Sequence, residues 1–104
     1  MANMTNHTKC TVFINSIRRD QADAAERFLK AAQQGKLTNP NTGTPIHLTN
    51  LTEATTYTKN LFTTELNAIK ESKAYKHTPI YDQRRLEAEA ATNVLNEAKL
   101  ALLF

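Results

Sequence analysis

The stretch Cys10-Thr11-Val12-Phe13-Ile14-Asn15-Ser16-Ile17 decides the fold class of this chain. Its residue types are those of a strand, because β-branched and aromatic side chains cluster between Thr11 and Ile14. Its spacing is that of a helix. Cys10, Phe13, Ile14 and Ile17 continue into Ala24, Ala25, Phe28 and Ala32 at the i, i+3, i+4, i+7 intervals of one helical face. Asp20 or Gln21 interrupts that stripe once, and no glycine or proline breaks it before Gly35, which stands where a helix stop belongs. The continuous period favours one helix over roughly residues 8–34. The alternative is a short N-terminal strand followed by a helix opening near Asp20.

Downstream, the signals are punctuated more clearly. Asn39-Pro40-Asn41 and Thr42-Gly43-Thr44-Pro45 are turn chemistry, so residues 35–49 read as a loop. Within it, Ile46 and Leu48 are expected to pin the loop to the rest of the molecule. Asn50 followed by Glu53 is a capping-box pair and opens a second helix, expected over 50–75. Leu51, Ala54, Thr58, Leu61, Phe62, Leu66 and Ile69 line its face, and its many threonines lower its intrinsic propensity, so packing must hold it. Thr78 as N-cap and Pro79 as first residue open a third helix, expected over 79–102. Leu86, Ala90, Ala91, Val94, Leu95, Ala98 and Leu102 form its apolar face. The expectation is an all-α, elongated three-helix bundle, dominated by a long antiparallel helical hairpin of the second and third helices.

Composition agrees. At 104 residues the chain fits one helical domain, and two glycines and three prolines leave few turns for an all-β fold. Cys10 is the only cysteine, which rules out an internal disulfide and suits a reducing compartment. Residues 1–9 are polar, without the apolar core of a signal peptide, and no apolar run approaches the roughly 18 residues of a membrane span. These features predict a cytoplasmic protein, in the host cytoplasm if viral, that does not enter membranes.

Helix length carries a further implication. A 25-residue helix is about 38 Å long, whereas a compact chain of this size has a radius of gyration near 13 Å. Three such helices make a thin rod, and the apolar Leu102-Leu103-Phe104 end is costly to leave in water. A homo-oligomer, with a dimer favoured, is therefore expected.

Catalytic patterns are sparse. His7, His47 and His77 show no spacing that would gather three or four metal ligands. Cys10 lies on the apolar stripe and is expected as a buried structural thiol. Glu87 and Glu89, two residues apart, point to different sides of a helix and read as a solvated face. No phosphate-binding glycine loop or nucleophile elbow occurs. No enzymatic activity, metal or cofactor is expected.

One constellation remains. If the helices alternate up, down, up, one end gathers Arg18 and Arg19 from the first helix, Lys73, Tyr75 and Lys76 from the second, and His77, Tyr81, Arg84 and Arg85 from the turn and the third. Lys9 and Lys70 add to it, and Glu71 and Asp82 offset it partly. The amide end of the third helix points there, and tyrosines stack on bases, so the set is a candidate for phosphate plus an aromatic ring. The plain alternative is that these cations decorate an exposed helix end and the tyrosines cover the core.

Three function classes follow. The first is a non-catalytic helical interaction protein, of the kind phages and mobile elements encode as inhibitors or adaptors, acting on a protein partner. The second binds nucleic acid or a small nucleotide through the basic end; the net charge of +3 permits this without requiring it. The stretch Arg85 to Ala98 resembles the last helix of helical-hairpin proteins that sequester cyclic nucleotides, a likeness one helix long that implies no site residue. The third is a structural subunit of a viral or other assembly.

Overall fold

The long period wins over the strand-like residue types at the N-terminus. In the computed structural model, α1 runs unbroken over Asn6–Gln33, α2 over Leu51–Ser72 and α3 over Ile80–Leu103. The structure describes residues 6–72 and 79–103, with side chains from Cys10 onward. The alternative of a strand at residues 10–14 is thus overturned. Phe13 and Ile14 are both half-buried on one side of α1, which the helical spacing delivers and an alternating strand would not. Among the described residues the only β-type pairing is an isolated bridge between Thr38 and Pro45.

Helix ends follow local chemistry. The Lys36 N–H donates to the Ala31 carbonyl (2.9 Å) and the Gly35 N–H to the Ala32 carbonyl (3.1 Å), the paired bonds of a Schellman stop. Gly35 sits at φ 72°, a left-handed conformation that costs other residues about 1–2 kcal/mol. At the start of α2, the Glu53 N–H donates to Asn50 Oδ1 (2.9 Å), as the capping box requires. The reciprocal half is displaced by one residue: Glu53 Oε1 accepts from the backbone N–H (2.8 Å) and the hydroxyl (2.7 Å) of Thr49. At α3, Thr78 lies outside the described residues, and Pro79 stands just before the first turn, its carbonyl accepting from the Gln83 N–H at 3.0 Å.

The loop is pinned as its apolar residues predict. Leu37 and Leu48 are buried and Ile46 packs against the core. The Ile46 N–H donates to the Leu37 carbonyl at 2.9 Å.

Helices α1 and α3 run parallel. Phe13 meets Tyr81 near their starts, Asp20 meets Thr92 midway, and Lys36 just after α1 meets the Leu102 carbonyl at the end of α3. Helix α2 runs antiparallel against both, its start beside the ends of the other two. The order is up, down, up, and the molecule measures 48 × 30 × 22 Å with a radius of gyration of 15.5 Å. That exceeds the 13 Å of a compact chain, as the helix lengths predict.

Packing is distributed unevenly. The main partner of α3 is α1 rather than its neighbour in sequence, α2. Ala24, Ala25 and Ala31 of α1 and Ala90, Ala91 and Ala98 of α3 are all buried, with Phe28 and Val94 filling the space between. Small side chains let two backbones approach closely. Phe28 also turns its ring edge-on to Tyr57 of α2, centroids 5.0 Å apart. Its complete burial contributes about 1.5–3 kcal/mol.

Helix α2 is held more lightly. Its buried residues are Ala54 and Thr58, both in its first half. Thr58 escapes the cost of a buried hydroxyl by donating to the Ala54 carbonyl at 2.7 Å. Thr56, Thr63 and Thr64 make the same bond to the carbonyl four residues back. No helix among the described residues is long and apolar enough to cross a membrane.

Candidate functional site

The starts of α1 and α3 do share one end of the bundle. The contact that shows it uses a predicted site residue: Tyr81 is half-buried against Phe13, ring centroids 5.4 Å apart and tilted by 52°. Such tilted pairs are favourable for ring quadrupoles. One face of Tyr81 is therefore committed to α1.

The arginines are accompanied rather than bare. Arg84 is half-buried and its Nη1 donates to Glu87 Oε1 at 2.6 Å. Arg85 lies 3.8 Å from Asp82 and Arg19 lies 4.0 Å from Asp20. These are short-range pairs along single helices. Exposed pairs of this type contribute little to stability, but they lower the positive potential that an anion would feel. Glu87, expected on a solvated face, is half-buried and serves as the counter-ion of Arg84.

Arg18 points elsewhere. It is exposed and, with Gln21 and Ala22, faces Thr55, Thr58 and Lys59 of α2 across an open groove of about 250 Å³. The first-helix part of the constellation is thus divided between the groove and the outer surface. Lys73, Tyr75, Lys76 and His77 lie outside the described residues, as does the side chain of Lys9. Cys10 is half-buried, so the expectation of a buried thiol is not met: it lies about four turns before the core closes at Ala24. Among the described residues no three potential metal ligands cluster.

A second group was not foreseen. At the opposite end, an open cleft of about 360 Å³ lies between the start of α2, the end of α3 and the loop. Phe28, Leu37, Tyr57, Leu61, Leu100 and Ala101 form its apolar lining, and the exposed Lys36 and Glu97 stand in it. Glu97 also meets Glu65 of α2. Partial burial, a hydrogen bond to Glu65 and the charge of Glu65 together hold the Glu97 carboxyl above its ordinary range. The Tyr57 phenol is raised as well, by burial first and by Glu97 second. Glu65 and Glu97 are 32 positions apart in the sequence, and only the register of α2 on α3 brings them together.

Apolar side chains stand exposed at both ends. Val12 and Ile80 are each 51% exposed where α1 and α3 begin, one residue from the Phe13–Tyr81 pair. Leu100 and Leu103 are 53% and 73% exposed where α3 ends. Compared with models of protein families, with curated proteins and with solved structures, the chain matches none of them.

Proposed function

We propose that the chain is a non-catalytic helical interaction protein that binds a protein partner through the end where α1 and α3 begin. The observation that carries this reading is the exposure of Val12 and Ile80 beside the Phe13–Tyr81 ring pair. Apolar groups ringed by charged ones are the pattern of a protein-binding patch. Arg19 and Arg85 stand exposed further along the same two helices, each with a loosely held acid at 3.8–4.0 Å. A partner offering apolar and acidic side chains would compete for those arginines and cover the apolar pair. A nucleotide or nucleic acid finds less there: an ion pair at 2.6 Å already occupies Arg84, and Tyr81 packs on Phe13.

Site-specific photocrosslinking tests the reading. A photoreactive residue is placed at Val12, at Ile80 or, as a control, at the exposed Thr63 of α2, in cells that naturally carry the protein. The expected result is one protein adduct shared by the first two positions and missing from the third. Adducts to nucleic acid, or no difference from Thr63, would overturn it, as would a rise in Tm with nucleotides that Arg84→Ala abolishes.

A further inference from the structure

The cleft at the other end holds two features that fit each other. It is a hole, lined by Phe28, Leu37, Tyr57, Leu61 and Ala101. Leu100 on its wall and Leu103 one turn later form a knob on the same helix, more than half exposed. Hole and knob thus lie side by side on one surface. That is the condition for an isologous contact, in which one patch serves both partners about a twofold axis.

The charges obey the same rule. Glu97 stands in the cleft with the Glu65 carboxyl close beside it, and the two repel each other when both are ionised. An occupant that brings a cation would relieve that repulsion. The chain carries such a cation in the cleft, Lys36, whose Nζ donates to the exposed Leu102 carbonyl at 3.0 Å. Beyond Leu102, the outer surface of α1 offers Asp23 and Glu26 with Arg27 and Lys30, two of each sign. A surface balanced in this way suits a copy of itself better than a strongly acidic or basic partner.

We infer that the cleft and the end of α3 form a homodimer interface, with Leu103 of each copy entering the cleft of the other and Lys36 of each copy facing Glu97 of its partner. The proposal does not depend on the reading of the opposite end, which a dimer of this geometry leaves free. The patch is small beside the roughly 800 Å² per copy of a standard interface, so association is expected in the micromolar range.

Sedimentation velocity of the full chain, from micromolar to millimolar concentration, tests it. The wild type is expected to pass from monomer to dimer. Leu103→Asp should weaken association by about tenfold or more with an unchanged circular dichroism spectrum, because Leu103 is 73% exposed in the single chain. Glu97→Lys and Lys36→Glu should each weaken the dimer, and the double exchange should restore it. Val12→Asp, at the other end, should leave it intact. A wild type that stays monomeric, a dimer indifferent to Leu103→Asp, or a double exchange that restores nothing would overturn the proposal. A monomer that still crosslinks at Val12 and Ile80 would sink this inference alone.

Discussion

The seam between α1 and α3 and the seat of α2 are built on opposite plans. The seam buries six alanines with Phe28 and Val94, and its helices lie close along most of their length. The seat buries Ala54 and Thr58 and leaves Leu61, Phe62, Leu66 and Ile69 half-covered. In sequence α2 carries as many large apolar side chains as α1. In the fold it has the weaker attachment. Small residues that allow close approach secure more burial than large residues that stay half in water.

This contrast can be broken most forcefully at Phe28, where the two regions meet. Phe28→Ala is expected to cost about 3–5 kcal/mol in urea unfolding, since it opens a cavity in the seam and removes the ring that Tyr57 packs against. A loss under 1 kcal/mol would mean that the core is not organised around this ring. Next in size is Ala91→Leu. Ala91 has no exposed surface, so the added volume must force α1 and α3 apart, at about 1–3 kcal/mol. If stability rose, the close approach would be a misreading.

Leu66→Ala probes the seat and should cost only about 1 kcal/mol, because the side chain is half-buried. Amide exchange should agree, with amides in the second half of α2 opening before those of the seam. The smallest effects concern pH, and the two carboxyls that hold α2 carry opposite signs. Hydrogen bonds from the Thr49 N–H and hydroxyl hold Glu53 below its ordinary 4.5, so its contribution is present at neutral pH and lost as pH falls through the lowered value. Burial and Glu65 hold Glu97 above 4.5, so its contribution is present in acid and lost as pH rises through the raised value. Glu53→Gln should flatten the acid limb of a stability–pH profile and Glu97→Gln the limb just above it. Identical profiles for both variants would refute the assignment.

Much of the fold was legible because its stops and starts are local. Gly35, Asn50 and Glu53 mark helix ends through bonds that span three to five residues. The strand-like look of Thr11 to Ile14 misleads only if propensity is weighed above period; burial of one face of α1 settles it. The neutralising pairs Asp82–Arg85 and Arg84–Glu87 were also legible, since each spans three residues on one helix. Asp82 is already an offset in the sequence reading of that end; Glu87, read there as part of a solvated face, lowers its potential further. The cleft was not legible. Leu37, Leu61, Glu97 and Leu100 come from three separate segments, and only tertiary register joins them.

The parallel course of α1 and α3 has a consequence for how the chain finds its fold. Contacts along that seam join residues 66 to 72 positions apart, so more than half the polypeptide must be closed into a loop before the best burial is gained. Loop closure is an entropic toll that local helix pairs avoid. A stiff α2 shortens the free part of that loop, and so its weak seat still has a purpose: it spans the distance while the other two helices meet.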